Sequence, residues 1–243
     1  MEDAPAGSGT LVAMTPPSWP AWPLFDLRLR CRGVVLRPVR EADLPLLAAI
    51  QPADWEHDPG AELLPALDLG QNRARLCYQD YWRSVGTWSP SSWCLQFAVQ
   101  SDRAVVGVQS LEAEQFPVLR TVGSGSWLIP AVRRRGIGVA MRLAVLGLAF
   151  DHLDALAAVT AATPDNAASL GVSRRIGYAD NGVSLTNSGR GVVELIQLRL
   201  TAAAWRASGH AAEVTVTGFA PCRPWFGLRA PGPDRAADRT AAS

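Results

Sequence analysis

The sequence predicts an α+β domain built on one mixed sheet, with helices packed against it. Three observations carry this expectation. The β-rich runs WCLQFAVQ at 93–100 and AVVGVQSL at 104–111 are separated only by Ser101-Asp102-Arg103, the pattern of an antiparallel hairpin. The run from Ile137 to Phe150 is apolar nearly all round, as expected of a helix pressed between a sheet and other structure. Two late β-rich runs, Tyr178 to Leu185 and Val192 to Leu200, form a closing antiparallel pair.

Taken in order, residues 1–33 read as an N-terminal arm, with Pro16, Pro17, Pro20 and Pro23 set among Trp19 and Trp22. The main domain spans 34–200. It starts with a strand at 34–39, and Arg40-Glu41-Ala42-Asp43 then leads into a helix whose Leu44, Leu47 and Ile50 share one face. Residues 52–70 hold three prolines and little periodicity, so they form a long loop of the kind that often carries function. A helix over 71–84 and the hairpin follow. Thr121 to Ile129 reads as one strand ended by Pro130, with Gly123 and Gly125 leaving room for a ligand or a second backbone. After the apolar helix come a short strand at 155–160 and a helix from about Asn166 to Arg175. Residues 201–229 form a C-terminal extension with a helix around Trp205, a strand within 211–219 and an aromatic cluster from Cys222 to Gly227. Residues 230–243 have no large apolar side chain and read as a disordered tail.

Composition narrows the function classes. Lys and Arg number 23 against 22 Asp and Glu, so there is no electrostatic case for nucleic acid or an anionic membrane surface. Cys31, Cys77, Cys94 and Cys222 never form a CxxC pair, which argues against a disulfide framework or zinc knuckle; no metal is expected. The start of the chain lacks the basic segment of a signal peptide. The longest apolar helical stretch, Val139 to Phe150, is interrupted by Arg142 and is shorter than the roughly 20 residues of a membrane span. A cytoplasmic location is the expectation. The tryptophans of the arm and the Cys222–Gly227 cluster need cover, which predicts a homo-oligomer.

The most informative stretch runs from Trp127, Leu128 and Ile129 through Arg133-Arg134-Arg135-Gly136-Ile137-Gly138 to Val139 and Ala140. A strand stops at proline, three arginines follow, and two glycines open a helix. The unpaired N–H groups of a helix start bind anions, glycine lets an anion approach them, and arginine adds charge-assisted bonds to phosphate oxygens. The combination reads as a pyrophosphate cradle. A Walker loop is excluded because no Gly-Lys-Ser/Thr follows, and a dinucleotide fingerprint fits poorly because Met141 stands where its third glycine belongs.

Arg133-x-x-Gly136-x-Gly138 resembles the acyl-coenzyme A signature of the GNAT N-acyltransferases. Asn166-Ala-Ala-Ser169, followed by Gly177-Tyr178, resembles the second signature of their ribosomal-protein acetyltransferase branch. Stretches such as 105–128, 173–182 and the CRPWFG segment are similar to a mycobacterial subgroup for which succinyl-coenzyme A binding has been proposed. The resemblance implies a GNAT fold with two splayed strands. It also implies acetyl- or succinyl-coenzyme A as acyl donor, and a small-molecule or peptide amine as acceptor. The backbone of Trp127, Leu128 and Ile129 would face the pantetheine arm, and Arg133 to Ala140 would hold the pyrophosphate.

Asn166 would bind the pantetheine arm or order the amine, and it also suits a helix cap. Ser169 would face the sulfur and assist the leaving thiolate. Ser173 stands where many GNAT enzymes carry a tyrosine acid, a departure that also admits a coenzyme A-binding sensor or scaffold without turnover. For the base that takes the amine proton, the candidates are Glu112 and Glu114 after the strand ending at Leu111 and Glu56, His57 and Asp58 in the long early loop, with Glu112 and His57 put first. No Ser/His/Asp order suggests a covalent intermediate, so direct attack is expected. Arg73, Arg75 and Arg83 are candidates for the far carboxylate of a succinyl donor.

Overall fold

A computed structural model describes residues 21–55, 61–187 and 191–228. A short 3-10 turn, Pro23–Asp26, leads into β1 (Arg28–Cys31) and β2 (Val34–Pro38). Helices α1 (Leu44–Ile50) and α2 (Leu69–Gly86) precede the hairpin of β3 (Trp93–Ser101) and β4 (Ala104–Ala113). Next are α3 (Phe116–Leu119), β5 (Thr121–Gly123), β6 (Ser126–Leu128) and α4 (Ile137–Gly147), which continues as a wider turn through His152. The chain closes with β7 (Ala157–Ala162), α5 (Ala167–Ile176), β8 (Ala179–Asn187), β9 (Val192–Thr201), α6 (Ala202–Ser208) and β10 (Val214–Thr217). A last 3-10 segment spans Ala220–Phe226.

The described strands form one sheet in the order β10-β1-β2-β3-β4-β5-β7-β9-β8, with β6 also on β4. Only β5 and β7 run parallel; the other pairs are antiparallel. The expected mixed α+β sheet is therefore present. The β3–β4 turn is tight because Asp102 and Arg103 both take left-handed φ values, 49° and 66°, which match the twist of a two-residue hairpin.

Alternation along the strands divides the apolar side chains between two layers. Leu29, Leu36, Phe97, Val99 and Leu111 join α4 and α5 in the larger core, while Val39, Ala98 and Trp127 meet Leu44, Leu47 and Tyr81 of α1 and α2 on the other face. Helix α4 is buried from Val139 onward because the sheet covers one side and β10 crosses another. At Gly147 a Cβ would lie 2.6 Å from Val214 Cγ1, so only glycine lets that strand pass.

Three sequence expectations change. The stretch expected as an arm over 1–33 already enters the sheet at β1, which pairs with β10 of the C-terminal extension, so residues 28–31 and 214–217 belong to the body of the domain; residues 1–20 lie outside the described residues. The strand expected over 121–129 is interrupted at Ser124-Gly125, although β5 and β6 keep one register against β4. Third, the aromatic segments find their cover within the chain. Trp22 packs edge-on to Trp225 and Trp88, at 4.8 and 5.7 Å between ring centres, and Trp88 Nε1 donates to the Trp225 carbonyl at 3.0 Å. Phe226 is fully buried against Trp93. Trp19 and the tail from 229 onward lie outside the described residues.

The join between the two ends is tight at Gly218. Its φ is +76°, and a Cβ there would lie 2.3 Å from the Asp26 carbonyl oxygen. Gly218→Ala is expected to destabilise the fold by about 1–3 kcal/mol, since strain and overlap act together. A denaturant titration should show a lower midpoint; an unchanged midpoint would mean that β10 does not need this close approach.

Candidate active site

The site originates where two parallel strands part. β5 and β7 are paired from Thr121/Ala157 to Gly123/Val159 and no further. Beyond that rung β6 stays with β4, while β7 stays with β9 up to Ala162. Gly125 holds the near side in place: its carbonyl accepts from Ser110 N at 2.8 Å and Gln109 Nε2 at 2.9 Å, and its amide donates to Ser110 Oγ at 3.0 Å. Bonds from Ser110 N to Gly125 O and from Ile129 N to Val106 O fix the alternation along β6. Trp127 therefore turns its backbone to β4, and Ser126 and Leu128 present theirs to the gap.

A cleft of about 360 Å³ fills this gap, with Ser124 to Leu128 on one wall, Thr160 to Ala162 on the other, and Gly138, Met141, Asn166 and Ser169 around it. At its outer end the chain turns through left-handed Arg134 (φ 61°) and Gly136 (φ 82°) into α4. A Cβ on Gly136 would meet nothing within 4 Å, so it would occupy open space in front of the helix. On Gly138 it would touch Val172 at an ordinary 3.5 Å. The helix-start amides without a backbone partner are those of Ile137 and Gly138. Val139 and Ala140, expected to take part, instead donate to the Gly136 carbonyl at 3.1 and 3.0 Å, and their side chains are buried with that of Ile137. Helix geometry limits such a cradle to the first turn.

The three arginines separate in role. Arg133 donates to the Leu128 carbonyl at 3.0 Å and forms a two-pronged ion pair with Asp54 at 2.5 and 2.8 Å, which holds the Asp54 carboxyl below the usual carboxylate range. Arg134 and Arg135 are exposed and have no ion pair among the described residues, so they are the cations available to a phosphate.

On the α5 side, Asn166 caps the helix: its Oδ1 accepts from Ser169 N at 3.0 Å, which leaves the side-chain NH2 for the cleft. Ser169 lines the cleft. Ser173 does not: it is fully buried, and its hydroxyl donates back to the Ser169 carbonyl at 3.1 Å. One turn separates the two serines, and that turn points Ser173 into the helix–sheet interface.

A second cavity, of about 410 Å³, lies across β6 under α1 and α2. Leu47, Leu76 and Val108 give it apolar walls; Asp80, Gln96, Ser110 and Arg83 give it polar ones. Trp55, Gly125, Ser126 and Trp127 line both cavities, so the two spaces meet at one strand. Glu112 follows Ser110 on this face of β4, opposite Cys94 of β3. Glu112 is exposed by surface area and lines neither cavity, although its carboxyl is crowded by neighbouring protein atoms. That desolvation, followed by the negative charges of Asp80 and Glu114, pushes its carboxyl above the usual range, against the opposing effect of the Cys94 thiol. His57 lies outside the described residues. His152 packs on Phe219 and His210 bonds Glu213, so neither belongs to these cavities.

Arg73 and Arg75 turn out to bind the loop before α2: Arg73 donates to the Pro52 and Ala53 carbonyls, and Arg75 to that of Glu62. Two residues were missed from sequence. Asp54 lines the cleft between β6 and β7, next to Trp55, which sits in the loop expected to carry function and reaches both cavities. Arg142 lines the donor-side cleft, and the only trace of this in the sequence is a charge interrupting an apolar helix.

Among solved structures, the chain is similar to Mycobacterium smegmatis RimJ in complex with CoA-disulfide (20% identity over 79% of this chain and 97% of that one, TM-score 0.59). A spermidine N-acetyltransferase SpeG chimera from Vibrio cholerae and hSSAT aligns at 12% identity, over 72% and 98%, with a TM-score of 0.56. An acetyltransferase (GNAT family) from Bacillus anthracis aligns at 12% identity, over 72% and 99%, also at 0.56. At these identities the likeness shows the fold. Residues 34–179 match the acetyltransferase (GNAT) domain model, and the chain belongs to the GNAT acetyltransferase family.

Proposed function

We propose that this protein transfers an acyl group, acetyl or succinyl, from coenzyme A to a primary amine by direct attack in a ternary complex. The observation that carries this is the meeting of two cavities at β6, one of which begins at an open helix start. The pyrophosphate sits before Ile137 and Gly138, with Arg134 and Arg135 beside it. The pantetheine arm pairs with the edge of Ser126 and Leu128 and contacts Asn166. The amine enters from beneath α2, past Trp55 and Asp80. Both reactants are thus held on the two sides of one strand, which replaces a chance encounter by a fixed geometry.

Glu112 takes the amine proton through water, and Ser169 donates a hydrogen bond to the sulfur. A carboxylate that holds its proton more tightly than usual is a stronger base when ionised, and only the ionised form can act. The rate should therefore rise with pH through the raised pKa of Glu112, above the ordinary carboxylate range.

Glu112→Gln is expected to lower kcat/KM on the order of 10²-fold and to remove that rise. Its unfolding midpoint at neutral pH should be equal or higher. A group with a raised folded pKa contributes stability below its unfolded pKa and costs stability once pH exceeds the folded one, so losing its charge relieves that cost. A retained acid limb in the variant would take Glu112 out of the mechanism.

Binding gives an independent check. Calorimetry with coenzyme A should show Gly136→Val weakened by tenfold or more, because its side chain fills the cradle, and Gly138→Ala within about threefold of wild type. Equal losses in the two variants would argue against this placement.

A further inference from the structure

Arg142, in the second turn of α4, is only 4% exposed yet lines the cleft between β6 and β7. Its Nη1 lies 3.5 Å from Thr160 Oγ1, and its Nε has no acceptor. Two buried hydroxyls beside it, Ser124 Oγ and Tyr178 OH, have no partner at strict hydrogen-bond geometry, although Tyr178 lies close enough to Ser124 and Arg142 to interact with both. No carboxylate pairs with Arg142 among the described residues. Tyr178 is no hidden counter-ion either: burial pushes its phenol up against the opposing pull of Arg142 and Ser124, so it stays neutral.

The placement is specific. Gly123/Val159 is the last rung joining β5 to β7; Ser124 follows directly in the break after β5, and Thr160 is the next residue of β7. The cluster therefore sits at the apex, where the strands separate. A buried guanidinium without an anion costs several kcal/mol, and a purely structural arginine would be expected to bring a partner. Arginine only donates, and the neighbouring hydroxyls can donate as well, so this apex is built to receive negative charge.

We propose that Arg142 is a catalytic residue of the acyl transfer: at the apex of the cleft its guanidinium holds the negative charge that comes to rest on the coenzyme A sulfur. This rests on reading the cleft as the coenzyme A site. The amine lone pair forms the C–N bond while the carbonyl π pair moves to oxygen. That pair then returns, the C–S bond breaks, and its electrons leave on sulfur. The amine proton goes to Glu112 through water, and the thiolate departs as an anion paired with Arg142, taking a proton from solvent on release. The arrangement fills a gap left by α5, where Ser173 is committed to the Ser169 carbonyl.

The test reads charge at sulfur directly. Coenzyme A is bound to the full chain, and its thiolate absorbance in the ultraviolet is followed against pH. A cation within contact range should raise the acid dissociation constant of the bound thiol at least about tenfold over that of free coenzyme A. In Arg142→Met the bound thiol should titrate as it does free, while calorimetry at low pH shows affinity within about threefold of wild type. Arg142→Lys should keep part of the effect. An unshifted wild-type thiol would overturn the proposal, and because that titration needs no variant, a misfolded Arg142→Met cannot rescue it. Failure of wild-type protein to bind coenzyme A would overturn the reading of the cleft as well, and binding with an unshifted thiol would overturn only the role of Arg142. A shift unaltered in folded Arg142→Met, with transfer lost only for donors whose acyl group ends in a carboxylate, would overturn it in favour of an acyl-carboxylate anchor.

Discussion

The parting of β7 from β5 after Gly123/Val159 is the constraint on which the site depends. A continuous ladder would satisfy the backbone of both strands and leave no entrance. Because β6 is held to β4 and β7 to β9, neither strand can swing back to close the gap. The outward backbone of Ser126 and the amide of Leu128 therefore stay open to a ligand that carries amides of its own, while the Leu128 carbonyl is taken by Arg133. Such unpaired groups are costly to leave dry, so the gap is a natural place for a polar chain to lie.

The two cavities differ in the charge they favour. The donor side offers helix amides, Arg134, Arg135 and buried Arg142, all suited to negative groups. The other cavity has Asp80 in its wall, with Glu112 two residues beyond Ser110 on β4; on the proposed reading these would suit a cationic amine and then its proton. β6 lies between them, so opposite charges approach from opposite faces of one strand. Desolvation first, and then the charges of Asp80 and Glu114, push the Glu112 carboxyl above the usual carboxylate range.

Much of this was legible in sequence, because local rules and the fold agree. The hairpin, the apolar α4, the Gly136-x-Gly138 helix start and the Asn166 cap each follow from spacing over a few residues. What escaped depended on distant partners. β1 looked like arm because four residues flanked by prolines and a turn carry little period, and their strand character comes from pairing with β2 and β10. The interruption at Ser124-Gly125 was hidden because both halves keep the same register against β4. Arg142 was visible as a charge in an apolar helix, but a sequence cannot show which wall of a cleft it joins.

Arg133 illustrates how a signature residue can serve its site indirectly. Its Nε braces the end of β6 at Leu128, and its outer nitrogens hold Asp54, next to Trp55 at the junction of the cavities. One side chain thus ties the donor wall to the loop that roofs the acceptor space. Both partners are well exposed, 39% and 62% for the side chains, so the ion pair is worth no more than about 1 kcal/mol. A tie of that strength aligns the loop without locking it. A phosphate arriving at the helix start would also compete with Asp54 for the same guanidinium. On the proposed reading, donor binding would then be felt at the loop that carries Asp54 and Trp55, through this one contact.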